Sequence, residues 1–341
     1  MNKSAWIQQV NMSLCIPENK RPERVLDLFA GCGGLALGFE ALGLKTHGFE
    51  KNPACVQTYK LNLTGDCVCA DLTPQTQYPD AEIVIGGPPC QPFSVGGNQK
   101  GIEDSRDGFP TFIAAIEQLN PHLFLFENVR GLLYRNKWYF EQTKCKLEEL
   151  GYIVEAQLLN AKHYGVPQNR ERVIVVGHRG GFKFPAPHTK VISAGTALGS
   201  MFEQIPDNAK WLTPSMDAYI AKYEKASFCK NPRDLYYDRP ARTLTCRNLA
   251  GATGDMHRIR LPNGRRRRIT VREAARLQSF PDWFEFTGSE TEQYYQVGNA
   301  VSPLFAKALA QCVIDYLDRG AKYTSQEVMQ GKGSTKQLTL F

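Results

Sequence analysis

Cys90 stands in Gly86-Gly87-Pro88-Pro89-Cys90-Gln91-Pro92-Phe93-Ser94, directly after the apolar run 82–85. A cysteine is more often a small buried filler than a nucleophile. This one is flanked by prolines and glycines that leave little to pack. A stiff loop at a strand end is where an attacking sulfur is held. Glu127 closes a second apolar run, Phe124-Leu125-Phe126-Glu127-Asn128-Val129. A carboxyl there is either ion-paired or desolvated, and desolvation raises its pKa toward the range useful for proton donation. In Gln168-Asn169-Arg170-Glu171-Arg172 the two guanidinium groups alternate ahead of a third apolar run, so one of them is expected to face the same place.

A second group of residues has nucleotide-binding character. Asp27-Leu28-Phe29-Ala30-Gly31-Cys32-Gly33-Gly34 follows one apolar run and opens a helix, so its glycines let a ligand approach the helix N-terminus. Gly31, Gly33 and Ala36 satisfy the GxGxxA form of the dinucleotide fingerprint, with Glu50 about 20 residues on, where a ribose-binding acid belongs. Asp71 follows a later strand, and either acid can accept hydrogen bonds from an adenosine. A nicotinamide-dependent oxidoreductase would explain this loop. It would leave Cys90, Glu127 and the two arginines as coincidences.

These residues need a scaffold. Short apolar runs alternate with helix-like stretches from Arg24 to about Gly177, which is the rhythm of βαβ units and a parallel sheet. Between about 178 and 262 the rhythm is lost among Pro, Gly, Arg and aromatic residues. Helical character returns at 270–280 and 302–318, in segments that need a sheet to pack against. The expected organisation is therefore a catalytic and cofactor-binding domain from 1–178, a small inserted domain at 179–266, a return segment at 267–320 that completes the first domain, and a flexible tail at 321–341.

Bulk composition narrows the class. With 341 residues, 42% hydrophobic and 22% charged, the chain is large enough for a main domain plus a smaller one. No window approaches an uninterrupted membrane-spanning length, and the first twenty residues lack a signal-peptide pattern. The ten cysteines are scattered, and the only close pair, Cys67 and Cys69, lacks zinc-like spacing. Reduced thiols in a cytoplasmic protein without a metal are expected. A formal charge of +7 suits a polyanionic partner.

Taken together, the Pro-Cys-Gln, Glu-Asn-Val and Gln-x-Arg-x-Arg motifs, in that order, resemble those of bacterial DNA (cytosine-5)-methyltransferases. Arg272-Glu273-x-x-Arg276-Leu277-Gln278-x-Phe280-Pro281 and Gln296-Val297-Gly298-Asn299-Ala300-Val301 complete the set, and the resemblance spans about residues 25–317. It implies a Rossmann-like, S-adenosylmethionine-dependent methyltransferase sheet with an inserted target-recognition domain. It further implies that Cys90 adds to C6 of a flipped-out cytosine, while Glu127 and Arg172, with Arg170 nearby, meet charge at N3 and O2. Phe29, Gly31, Gly33, Glu50, Asp71 and Asn299 are the expected cofactor residues. Lys51 departs from the pattern, since many relatives carry an aromatic there.

In the variable region Thr243-Leu244 resembles the family's recurring Thr-Leu pair, and Arg247, Asn248 and Arg258 are of types that read bases or phosphates. Double-stranded DNA is the expected partner, bound by a monomer at the nucleoid, with a restriction endonuclease acting on the same site as a further candidate. Gln337-Leu338-Thr339-Leu340-Phe341 resembles the short peptide by which bacterial DNA enzymes dock on the sliding clamp. An RNA methyltransferase of the same fold is the nearest rival, but the Cys-Phe-Thr signature of the tRNA-modifying relatives is missing.

Overall fold

The computed structural model describes residues 5–89, 107–226, 233–251 and 256–320. Its strands are β1 (Arg24–Leu28), β2 (Lys45–Glu50), β3 (Asp66–Cys69), β4 (Ile83–Gly86), β5 (Leu123–Val129), β6 (Ile153–Asn160), β7 (Gln168–Asn169), β8 (Glu171–His178), β9 (Ala241–Arg242), β10 (Arg258–Arg260) and β11 (Arg266–Arg268). The helices are α1 (Ala5–Ser13), α2 (Gly34–Glu40), α3 (Pro53–Asn62), α4 (Phe109–Leu119), α5 (Lys137–Glu149), α6 (Ala194–Leu198), α7 (Pro214–Ala226), α8 (Cys246–Ala250), α9 (Val271–Leu277), α10 (Glu290–Asn299) and α11 (Pro303–Asp318).

Among the described residues the main sheet has seven strands in the order β3-β2-β1-β4-β5-β8-β6. The pairs from β3 through β5 are parallel, whereas β8 runs antiparallel to both β5 and β6. The reversal brings the first residues of β8 beside the last residues of β5, so that Arg172 pairs with Val129 and Ile174 with Glu127. Strand order turns back between β1 and β4, which opens a crevice at the carboxyl ends of the strands. This α/β architecture agrees with the rhythm of the sequence.

Period-two alternation gives each strand two apolar faces, as a sheet covered on both sides requires. Val25, Ile83, Ile85 and Leu123 meet Leu35 and Phe39 of α2 and Phe305, Leu309 and Val313 of α11. A Cβ added to Gly38 would lie 2.4 Å from the Lys307 backbone nitrogen, so α2 and α11 touch backbone to backbone. On the other face Leu26, Val84, Phe124 and Phe126 pack on Phe109 and Phe112 of α4 and on Tyr139 and Phe140 of α5.

After β8 the chain leaves the sheet. The segment that follows is tied back by β9, which pairs in parallel with β7. Its apolar residues Leu198, Leu244, Leu249 and Ile259 belong to the same cluster as Trp6 and Val10 of α1, Cys32, Phe280 and Tyr294. The inserted region and the return segment thus share one core. Helices α9 and α11 lie where the sequence predicts helical return segments. Helix α10 was not anticipated, although its Ser289–Glu292 capping box is a readable start signal.

Candidate active site

Cys90 lies outside the described residues, but the chain leading to it is held firmly. Asn128, next to Glu127, donates its Nδ2 to the Pro88 carbonyl at 3.0 Å, and the Gly108 amide donates to the Pro89 carbonyl at 3.0 Å. A Cβ on Gly108 would lie 2.4 Å from Pro89 Cδ, so only glycine allows α4 to begin this close to the loop. The backbone just before the thiol is therefore pinned by the end of β5 and the start of α4. Asn128 was quoted in the sequence motif without a role, and this bond supplies one.

Glu127 and Arg172 meet at the mouth of the crevice. Arg172 Nε lies 2.6 Å from Glu127 Oε1, and each side chain is 12% exposed. The two are diagonal neighbours on one face of the β5–β8 ladder. Arg172 also donates to the Glu171 carbonyl at 2.7 Å. Among the described residues the Glu127 Oε2 atom accepts no hydrogen bond. Phe126 fixes the strand beneath, with ring contacts to Phe109 at 5.4 Å and Phe112 at 5.3 Å.

Arg170 does not join this pair. It lies between β7 and β8, outside either strand, so the simple alternation of side chains is interrupted at this residue. Its guanidinium is 2% exposed and donates to the carbonyls of Leu244 at 2.7 Å, Ala300 at 3.0 Å and Gly298 at 3.3 Å. In this structure it binds backbone and does not face the crevice.

The glycine loop crosses from β1 to α2 at the same edge of the sheet. Phe29 adopts φ 59°, a left-handed conformation that costs a non-glycine residue energy and turns the chain sharply over the strand ends. Gly31 has φ 56°, and its amide donates to Glu50 Oε2 at 3.0 Å, while Glu50 Oε1 accepts from the Asn52 amide at 2.8 Å. Each carboxylate oxygen keeps a second lone pair for a ligand hydroxyl. Among the described residues nothing lies within 4 Å of where a Cβ would stand on Gly31 or Gly87. Two backbones thus face open space across the crevice.

The remaining cofactor candidates are more spread out. Gly33, at φ 87°, caps α2 and packs against Tyr59 and Leu63. Asp71 is exposed beyond β3, Lys51 is exposed beside Glu50, and Asn299 is exposed at the last turn of α10. Asp27, which sequence reasoning passed over, is 1% exposed, and neither of its oxygens has a hydrogen-bond partner among the described residues. Burial pushes its carboxyl well above the ordinary range, with the Glu50 charge adding to the effect. Cys32 belongs to the loop, but burial pushes its thiol well up, so it is a poor rival nucleophile. The open backbone, the loop glycines and the Glu50 acid fit the adenosine-bearing methyl donor expected from the sequence.

The residues expected to read DNA have mixed placements. Arg247 is exposed on α8. Thr243 donates its hydroxyl to the Asn169 carbonyl at 2.7 Å, and Leu244 is fully buried. Asn248 closes a capping box with Thr245 and donates to the Thr243 carbonyl at 2.9 Å. Arg258 departs furthest from expectation. It is 0% exposed and paired with Asp234 at 2.5 Å and Glu224 at 2.8 Å, which keeps it inside the fold. The 265–268 run is similarly engaged, with Arg266 paired to Asp217 and Asp234 and Arg267 to Glu273.

The family motifs that follow act as stitching. Arg276 forms a pair of bonds to Asp282, and Arg272 donates to the carbonyls of Pro281 and Phe284. Gln168 and Gln278, which had been read only as motif letters, are bonded to each other at 2.9 Å in the interior.

Comparison with known proteins agrees with this geometry. The model for C-5 cytosine-specific DNA methylase matches residues 23–315. The type II methyltransferase M.AplI of Arthrospira platensis is 55% identical over 294 residues, 85% of each chain. M.NlaX of Neisseria lactamica is 36% identical over 305 residues, 84% of this chain and 95% of its own. Among solved structures, a DNMT2 mutant of Spodoptera frugiperda has a TM-score of 0.67 at 20% identity, covering 86% of this chain and 99% of its own. A putative prophage-encoded DNA modification methyltransferase from E. coli gives 0.64 at 22%, covering 87% and 99%. The last two speak for the shared fold. A sheet with this crevice, a family match over most of the chain and close type II relatives identify a member of the C-5 cytosine-specific DNA methylase family, a DNA (cytosine-5)-methyltransferase that uses S-adenosylmethionine as methyl donor.

Proposed function

We propose that Cys90 is the nucleophile and that Glu127 and Arg172 hold the cytosine ring. The observation that carries the reading is the side-by-side placement of an acid and a guanidinium at 2.6 Å, each only 12% exposed, at the end of β5. N3 and O2 of cytosine are joined through a single carbon and need such a pair of neighbours. The Cys90 thiolate forms a bond to C6, and the displaced electron pair runs toward N3 and O2. Glu127, once it has taken up a proton from solvent, donates it or a hydrogen bond at N3, and Arg172 stabilises O2. C5 becomes nucleophilic and accepts a methyl group, which the bound S-adenosylmethionine supplies as an electrophile. Loss of the C5 proton to a base not yet assigned then expels the sulfur from C6. The ring reaches these groups only if it is flipped from the duplex.

Phe29, Gly31, Gly33 and Glu50 are assigned to the cofactor, with Asp71 and Asn299 at its periphery. Residues 1–178 and 267–320 act as the catalytic unit and 179–266 as the recognition unit. Departure of the chain from the sheet after β8 and the return of α11 to cover it support this division. Arg247 is the recognition candidate with the exposure that DNA contact needs. Arg258 is reassigned to holding the recognition unit together. The type II relatives support a role in protecting DNA from an endonuclease of the same specificity, in a monomer working in the cytoplasm at the nucleoid. Residues 337–341 are proposed as a clamp-docking peptide, and unchanged clamp binding after their deletion overturns that part.

Bisulfite sequencing of DNA from cells expressing wild type or Cys90→Ser tests the central assignment. Protected cytosines in one short motif, lost in the variant, are expected. Protection retained by Cys90→Ser removes Cys90 from the mechanism.

A further inference from the structure

Four polar side chains outside the reacting group meet in the interior: Gln168 (0% exposed), Arg170 (2%), Gln278 (0%) and Ser302 (1%). Burying so many polar groups is costly unless they satisfy one another. Here the bonds run between segments distant in sequence. Gln168 Oε1 accepts from the Leu244 amide at 2.8 Å, and Arg170 donates to the Leu244 carbonyl at 2.7 Å, so both backbone groups of Leu244 are clamped. Gln278 accepts from Gln168 and from the Ser302 hydroxyl at 2.7 Å, and donates to the carbonyls of Val297 and Ala300. Arg170 also donates to the carbonyls of Gly298 and Ala300. One residue, Glu171, separates this cluster from Arg172 and its bond to Glu127.

We infer that the cluster is a joint through which the 243–248 segment, once seated on its own DNA sequence, sets the position of Arg172. Arg170 is a positioning residue for specificity. The inference rests on the assignment of Glu127 and Arg172 to the cytosine ring. Its physical basis is the short, extended link between Arg170 and Arg172, which cannot absorb a shift of the Leu244 clamp. A displacement of about 1 Å at a reacting group is enough to cost roughly 100-fold in rate.

The test uses the whole enzyme and two duplexes, one carrying the sequence that wild type methylates and one with a single base pair of it changed. Arg170→Lys retains the charge but replaces the guanidinium fork, so one ammonium cannot reproduce the same set of bonds in the same directions. The expected result is a fall in kcat on the cognate duplex of about 100-fold, KM for S-adenosylmethionine unchanged, and little change on the altered duplex, so that discrimination narrows. Arg172→Lys instead lowers kcat on both duplexes by a common factor. Ser302→Ala, a milder change at Gln278, shifts discrimination in the direction of Arg170→Lys by about tenfold.

Equal losses on both duplexes for Arg170→Lys overturn the inference, because Arg170 would then act on the ring itself. Wild-type kcat and discrimination in the folded fraction also overturn it, because the cluster would then serve stability alone. If Arg170→Lys does not fold, Ser302→Ala decides by the same criteria. Wild-type kcat retained by Arg172→Lys on the cognate duplex is instead a failure of the underlying assignment of Arg172 to the ring, whatever Arg170→Lys does.

Discussion

Two acid–arginine pairs of equal chemistry occupy opposite surroundings in this molecule. Glu127–Arg172, at 2.6 Å, sits at the strand ends with both side chains 12% exposed, and one carboxylate oxygen is unbonded among the described residues. Arg267–Glu273, at 2.7 Å, is sealed at 0% and 1% exposure. There Arg267 makes two bonds to Glu273 and others to the carbonyls of Arg268, Met201 and Gln204, while Glu273 also closes the capping box that starts α9. The first pair keeps bonding capacity in reserve and the second has largely spent it. That difference, together with the greater exposure of the first pair and not residue type, separates a pair that can meet a substrate from one that holds segments together.

The largest effect should come from breaking the open pair. Glu127→Gln is expected to lower kcat by as much as about 10⁴-fold with a smaller drop in thermal midpoint than Glu273→Gln, because Arg172 keeps some contact with solvent, measured by single-turnover methylation and calorimetry. If the midpoint fell while activity per folded molecule survived, the pair would be structural after all. Glu273→Gln should do the reverse, removing about 3–5 kcal/mol of stability in urea unfolding because Arg267 is left buried without its counter-charge. Methylation per folded molecule should stay at the wild-type level, and a selective loss of kcat would erase the contrast.

Asp27 sharpens the comparison as a buried acid with no hydrogen-bond partner among the described residues. Its folded carboxyl titrates above the ordinary value and its unfolded one near pH 4. Between the two the unfolded chain releases the proton first, so stability falls as pH rises, by at most about 1.4 kcal/mol per pH unit. Asp27→Asn should lack this decline, and parallel pH profiles of urea stability for the two proteins would refute the assignment. Smallest is Arg247→Ala. It should weaken DNA binding and reduce the salt slope by about 1, with no change in thermal midpoint.

How much was legible follows the same division. The alternation of strands and helices and the glycine loop with Glu50 are encoded by residues close in sequence, whereas the meeting of Glu127 with Arg172 is implied by the motif resemblance, because alternation alone leaves open which arginine faces the site. The fates of the remaining arginines are not so encoded. Arg258 is partnered by Asp234 and Glu224, 24 and 34 residues away, and Arg266 by Asp217, 49 residues away. No local pattern announces such pairings, so a chain of arginines bound for the interior reads like one bound for DNA. For Arg170 the break between β7 and β8 falls on the residue itself, which no local pattern in the sequence marks.

The backbone contact between α2 and α11 bears on the order in which the protein is made. The face of the sheet under Leu35, Phe39 and Ile83 is closed by residues near the far end of the sequence. During synthesis the glycine loop and the catalytic strands leave the ribosome long before the helix that covers them. A nascent chain therefore carries Glu127 and Arg172 while its sheet still lacks the apolar cover that α11 provides.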